Sequence, residues 1–307
     1  MPDKAPRKKP GIRSFWPRRA RGPRLYLPDG TRLLDLWLDG GRAILGHKCE
    51  GILLAYKNTA ERGLTSPWPA HPLNARAKKT LEDFFAPLVD HPVALFCRDS
   101  EQLARAVTVL GATPAPWRPW LGPALKTPPP SFEGVIQPVL PLSLPGLPPV
   151  LLVSAALYDG AVSKVATLSD NPLASVWPAP ALLAAIIRAF EILERSGERD
   201  IRALYPRLAA FLDTQDGAQS SDESFPAEGA GTLSWCVNGS WLHPEPAPAP
   251  EHWDLMREDA FGMGVFLPPY PGEPLAISPG FSDGEIAILV RLLSAIQGSP
   301  CMNDAGR

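Results

Sequence analysis

Thirty-eight prolines punctuate the 307 residues of this chain, about twice the usual share, and they decide where regular structure is allowed. Proline has no backbone N–H and a fixed φ, so it ends helices and stays out of central strands. Residues 112–134, "ATPAPWRPWLGPALKTPPPSFEG", are therefore expected to be irregular, and residues 244–253, "PEPAPAPEHW", to form a stiff extended connector. Pro206 is expected to bend or break the helix read from "DIRALYPRLAAFLDTQ".

Between these breaks the hydrophobic pattern is clear. "RLYLPDGTRLLDLWLDGG" places apolar residues on either side of a DG turn, as a β-hairpin does. Helices are expected at about Glu50–Arg62 and Leu73–Phe85, then a short buried strand at "PVALFCR". "SEQLARAVTVLG" has helical period with a cap at Asp99 or Ser100, and "GVIQPVL" and "PVLLVSA" read as strands. "APALLAAIIRAFEILERSG" is the strongest helix, and "DGAQSSDESFPAEGAG" reads as a flexible loop. The end runs strand, loop and helix through "GTLSWCVNG", "GMGVFLPPYPGEPLAISPGF" and "SDGEIAILVRLLSAI", the last opened by a Ser282/Glu285 capping box. Strands interleaved with helices, without an internal repeat, predict an α/β fold.

Composition narrows the function classes. With 45% hydrophobic and 20% charged residues the chain is no disordered polymer, and its length suits one large domain or a core with a smaller companion. A net charge of -2 gives no global pull toward nucleic acid or membrane. No apolar run approaches the roughly 18 residues of a membrane span, and charges stand where a signal peptide needs an apolar core. Cys49, Cys97, Cys236 and Cys301 form no CxxC pair, which argues against a zinc site or a disulfide framework and for a cytoplasmic protein with reduced thiols. His47, His71, His91, His243 and His252 lack ligand spacing, so no metal is expected. No GxSxG elbow, Walker loop or GxGxxG is present. Residues 1–24 carry nine Lys or Arg against Asp3; this basic arm either touches phosphates, with Phe15 and Trp16 stacking on bases, or is a solvated tail whose last part lies along the protein body.

Four segments, in order, resemble the class III (fold type I) pyridoxal-phosphate aminotransferases, in particular their glutamate-1-semialdehyde aminomutase branch. "GPRLYLPDGTRLLDLWLDGGRAILGH" is similar to the family's N-terminal hairpin, and "ALFCRDSEQLARAV" sits where its SGTEA phosphate loop would be. "ATLSDNPLAS" is close to its GTLSGNPLA, and "FGMGVFLPPYPGEPLAISPGFSDGEIAILVRLL" is similar to its C-terminal domain. The resemblance implies a reduced fold type I frame with a shortened large α/β domain and an α+β small domain built from both chain ends. The expected divisions are the arm at 1–24, a small-domain segment and linker helix at 25–72, the large domain at 73–190, and the C-terminal small domain at 191–307.

The family's chemistry needs a Schiff-base lysine, an acid at the pyridine nitrogen and a phosphate cradle. Here the strand matching the family's DEV ends in Val153, Ser154 and Ala155, and barely a dozen residues join Ala155 to Thr167, so the segment carrying the family lysine is deleted. Lys164 lies near that deletion without aligning to the family lysine, and Asp159 is either a displaced acid or a turn aspartate in "YDG". At the phosphate loop Arg98 replaces serine, Asp99 glycine, Ser100 threonine and Gln102 alanine, while Glu101 is kept. Ser100 and Thr167 are the vestigial cofactor contacts; Trp117 or Trp120 either stacks on a ring or packs a shortened loop.

The resulting expectation is a catalytically inactive relative without bound cofactor, a homodimer acting as a scaffold or through a ligand or protein partner. One alternative is an active pyridoxal-phosphate aminotransferase or aminomutase with a rearranged site using Lys164 and Asp159. Another is nucleic-acid or acidic-partner binding through the basic arm.

Overall fold

The computed structural model describes residues 15–118, 133–165, 170–196, 200–219 and 233–297. Thr167, Trp120, Cys301, residues 1–14 of the basic arm and most of the loop at 216–231 lie outside the described residues. The chain forms an α/β fold of two compact units, one spanning Asp39–Arg199, the other combining the residues before Asp39 with those from Asp200 onward.

In the discontinuous unit, β1 (Arg19–Arg21), β2 (Arg24–Tyr26), β3 (Arg32–Asp35) and β10 (Val265–Phe266) form a sheet in the order β1-β2-β3-β10, with β10 parallel to β3. β2 and β3 are the hairpin expected around Asp29 and Gly30. Gly30 adopts φ +91, which side-chain-bearing residues resist, and Asp29 Oδ1 accepts from Thr31 N at 2.9 Å to lock the turn. The last part of the basic arm lies along this sheet: β1 pairs with β2, and the Phe15 ring packs against Phe261 and Phe266.

A second sheet orders β11 (Leu275–Ala276), β9 (Trp241–Glu245) and β8 (Ser234–Asn238). Ala276 N donates to Leu36 O at 2.7 Å, tying it to the chain after β3. Helices α6 (Ile201–Leu204), α7 (Pro206–Gln219), α8 (Pro250–Gly262) and α9 (Asp283–Gln297) belong to the same unit. Their core gathers Trp253, Leu289, Leu293, Leu242 and Leu36, all fully buried or nearly so. Burying side chains of this size contributes about 1.5–3 kcal/mol each.

The continuous unit carries a mixed sheet in the order β4-β7-β6-β5, built from β4 (Pro92–Phe96), β5 (Ala115–Trp117), β6 (Val135–Pro138) and β7 (Val150–Ser154). β7 runs antiparallel to β4 and β6, and β5 parallel to β6. Leu95, Val135, Leu151 and Val153 face α3 (Ser100–Leu110) and α4 (Ala155–Val165). Side chains alternate along a strand, so Ala94, Phe96 and Leu152 turn to the other face, where α2 (Pro72–Phe85) packs. Burial on both faces explains why β4 and β7 read as unbroken apolar runs. α1 (Glu50–Ala60) and α2 both pack on α5 (Pro180–Ser196), and a Cβ on Gly51 would come within 3.2 Å of Ile192.

Three local expectations are corrected. Residues 115–117 form β5 despite Pro116, because at the outer strand of the described sheet its missing N–H costs no ladder bond. The "PAPEHW" stretch is no connector throughout: Pro250 stands at the start of α8, where a preset φ helps. The "YDG" sequence lies inside α4 and makes no turn, held there by the burial of Ala161 and Val165. Pro206 does break its helix, at Tyr205 between α6 and α7.

Candidate functional site

The C-terminal end of β4 and the N-terminus of α3 bring together the residues of the eroded phosphate loop. Cys97 is buried directly after β4, while Arg98, Asp99 and Ser100 are exposed. Asp99 is the N-cap of α3, with extended backbone, and its Oδ1 accepts from Gln102 N at 2.8 Å. A helix N-terminus offers unpaired N–H groups that favour anions. Here one of them is already taken by a carboxylate of the chain itself, which also places negative charge where any incoming anion would sit.

Gln102 anchors this corner. Its buried side chain accepts from Arg98 N at 2.7 Å and donates to Pro172 O at 3.2 Å and Ala174 O at 2.8 Å. The "DNPLAS" segment, residues 170–175, is thereby fastened to α3. Asn171 Oδ1 accepts from Leu173 N at 2.9 Å, forming the turn that leads toward α5, and Ser175 Oγ accepts from Phe96 N at 3.1 Å. Outside this joint, Arg105 Nη1 reaches Asp170 Oδ2 at 2.5 Å and Arg98 Nη2 lies 3.9 Å from Oδ1 of the same carboxylate. The hydrogen bond and charge of Arg105, with a further push from Arg98, hold the Asp170 carboxyl below its ordinary range. Asp99, Gln102 and Asp170 therefore satisfy with protein atoms the donors and charges that a bound anion would use. Burial pushes the Cys97 thiol up to about 11, with the Asp99 charge adding to the effect.

Lys164 is exposed near the C-terminal end of α4, and Asp159 is exposed five positions earlier. At about 100° per residue they point some 140° apart around the helix axis, so α4 does not aim them at one substrate atom. β7 ends at Ser154, and Ala155 opens α4 directly, leaving no carboxylate at that strand end. Ser100 is the first residue of α3, beside Asp99. The Trp117 indole is 6% exposed and packs against Phe84, Phe85 and Phe190 as part of the core. Among the described residues no three His, Cys, Asp or Glu side chains gather as a metal would require.

The sequence reading missed the structural role of Gln102 and the ion pairs of Asp170. Only the Asp99 side of this corner carried a local signal: Asp99 and Gln102 have the spacing of a capping box, but Gln102 bonds Arg98 N instead of the cap N–H.

The fold resembles that of solved class III aminotransferases. An ornithine aminotransferase from Plasmodium yoelii matches with a TM-score of 0.60 over 92% of this chain and 93% of that one, at 10% identity. A glutamate-1-semialdehyde aminomutase from Pseudomonas aeruginosa gives 0.62 over 92% and 87%, at 13% identity. A transaminase with pyridoxal phosphate bound gives 0.59 at 12% identity. No family model matches the sequence. Two uncharacterised proteins match parts of it: one from Borreliella burgdorferi is 47% identical over 53 residues, 17% of this chain and 20% of its own, and one from Treponema pallidum is 37% identical over 109 residues, 33% and 34%. The matched stretch thus spans about a fifth of the first relative and a third of the second. Among the described residues no helix is long and apolar enough to cross a membrane.

Proposed function

We propose that this chain is a class III aminotransferase-like protein that has lost transaminase chemistry and acts by binding, as a cytoplasmic homodimeric scaffold or partner protein. The observation that carries this reading is the Asp99 carboxylate on the Gln102 N–H at the start of α3. On the resemblance drawn from the sequence, this is where the cofactor's phosphate would be cradled. A phosphate dianion and a carboxylate would compete for the same N–H groups, and the carboxylate is covalently in place. The lack of an acid after β7 and the divergence of Asp159 and Lys164 agree with it. The described residues at this corner thus do not fit the phosphate of pyridoxal phosphate.

On this reading residues 73–190 are a shortened large domain, and residues 25–72 and 191–307 form the small domain with its linker helix. The homodimer rests on the frequent dimerisation of class III aminotransferases. The test adds pyridoxal phosphate to the full-length protein, records the visible spectrum, reduces with borohydride and maps the labelled peptides. No stable coloured species, or scattered labelling of surface lysines, is expected. A coloured adduct trapped on Lys164 alone would overturn the proposal and favour the rearranged enzyme. Light scattering on the same sample is expected to give a dimer mass, and a clean monomer would remove the scaffold argument.

A further inference from the structure

Away from the α3 corner, α1, α2, α5 and the chain between α1 and α2 border an open cleft of about 430 Å³. Three guanidiniums line it, those of Arg62, Arg76 and Arg188, against the single carboxylate of Glu191. Glu191 holds two of them, with Oε1 accepting from Arg76 Nη2 at 3.0 Å and Oε2 from Arg188 Nη1 at 3.0 Å. A guanidinium carries five N–H donors, so both arginines keep donors beyond that bridge. Arg62 adds a further positive charge at the end of α1.

The N-terminus of α2 opens at the same place. Its N-cap His71 lines the cleft and accepts from Leu73 N through Nδ1 at 3.2 Å. That bond leaves the ring proton of the neutral imidazole on Nε2, a further donor. The rest of the lining is mostly apolar, with Leu73 from α2 and Ala184 and Ile187 from α5, beside the polar Asn58 and Thr59 of α1. The volume falls within the range of small-molecule sites, which pair apolar walls with a few convergent polar groups. A cleft with excess positive charge focuses field on an incoming anion, and planar guanidiniums suit phosphate and carboxylate oxygens.

We propose that the cleft between α1, α2 and α5 binds a small organic dianion, its charged head on Arg62, Arg76 and Arg188 and its apolar body on Leu73, Ala184 and Ile187. This site is independent of the α3 corner and goes beyond the reading given above.

Titration calorimetry of the full-length protein with phenyl phosphate, inorganic phosphate and phenol tests it. Phenyl phosphate is expected to occupy a single saturable site more tightly than inorganic phosphate, with no binding of phenol. Losing one charge-assisted contact in Arg62→Gln is expected to weaken phenyl phosphate about tenfold. Ala184→Phe keeps every charge but fills the cleft, and is expected to abolish binding. Circular dichroism verifies that both variants are folded. Absence of phenyl phosphate binding, equal affinity for inorganic phosphate, or binding unchanged by both substitutions overturns the proposal.

Discussion

Arg24, on β2, grips the Glu285 carboxylate in the first turn of α9 through both Nε and Nη2, across 261 residues of sequence. The Glu285 side chain is 5% exposed and also accepts from Ser282 N and Ser282 Oγ, each at 2.8 Å. The capping box expected at Ser282 is therefore half built: the glutamate reaches back to the cap N–H, while the serine hydroxyl donates to the glutamate. Burial alone would raise the Glu285 pKa, but the hydrogen bonds from Arg24 and Ser282, with the charge of Arg24, outweigh it and hold the group below its ordinary value.

Replacing this carboxylate strands a half-buried guanidinium, so Glu285→Gln is expected to lower stability at neutral pH by about 2–4 kcal/mol. The folded pKa lies below the unfolded one, so the contribution is present above the unfolded value of about 4.3 and is lost as pH falls through the folded value. Urea melts of wild type and variant should differ widely at neutral pH and converge in acid. A gap that persists unchanged in acid would show that the pair is held by packing instead of charge.

The cap on α3 makes a second, smaller prediction. Asp99 satisfies an N–H that otherwise loses its partner, so Asp99→Ala is expected to cost about 1 kcal/mol. Asp99→Ser restores an acceptor and should recover most of the loss. Denaturant midpoints of the two variants, at unchanged slope, measure the difference.

The parts of the fold that were readable are those where local chemistry and tertiary packing agree. Asp29 and Gly30 announce a hairpin, and the apolar run of β7 announces a strand buried on both faces. A cap at Asp99 or Ser100 was also visible, because side-chain acceptors before a helical period are local signals, and the structure selects Asp99. α4 was not readable: Asp159 and Gly160 look like a turn, and only the burial of Ala161 and Val165 beneath the sheet makes the segment helical. α8 was hidden for a related reason, since alternating prolines suggest an extended strip until Trp253 is seen filling the core. At the site, the Gln102 bonds to Pro172 and Ala174 span some 70 residues, and no local pattern encodes such a partner.

Thiol chemistry separates two of the free cysteines. With its pKa raised to about 11 by burial, Cys97 is about one part in a thousand thiolate at pH 8, and its sulfur is closed to solvent. Cys236 is exposed on β8, where its Sγ donates to Glu245 Oε2 at 2.9 Å. Iodoacetamide at pH 8, followed by peptide mapping, should label Cys236 in the native protein and Cys97 only after denaturation. Native labelling of Cys97 at a comparable rate would mean that the end of β4 opens to solvent.

The heaviest single loss in the continuous unit is expected at Trp117. Its indole sits on β5 with ring centroids 4.8 Å from Phe85, 5.6 Å from Phe84 and 6.4 Å from Phe190, so it joins the strand to α2 and α5. Truncation removes these aromatic contacts and leaves a cavity between elements already fixed by β4 and β7, which cannot collapse to fill it. Trp117→Ala is therefore expected to cost about 3–5 kcal/mol, and Trp117→Phe substantially less because a ring remains. Equilibrium unfolding in urea measures both. A cost under about 1 kcal/mol for the alanine variant would place the indole at a yielding surface, at odds with its 6% exposure.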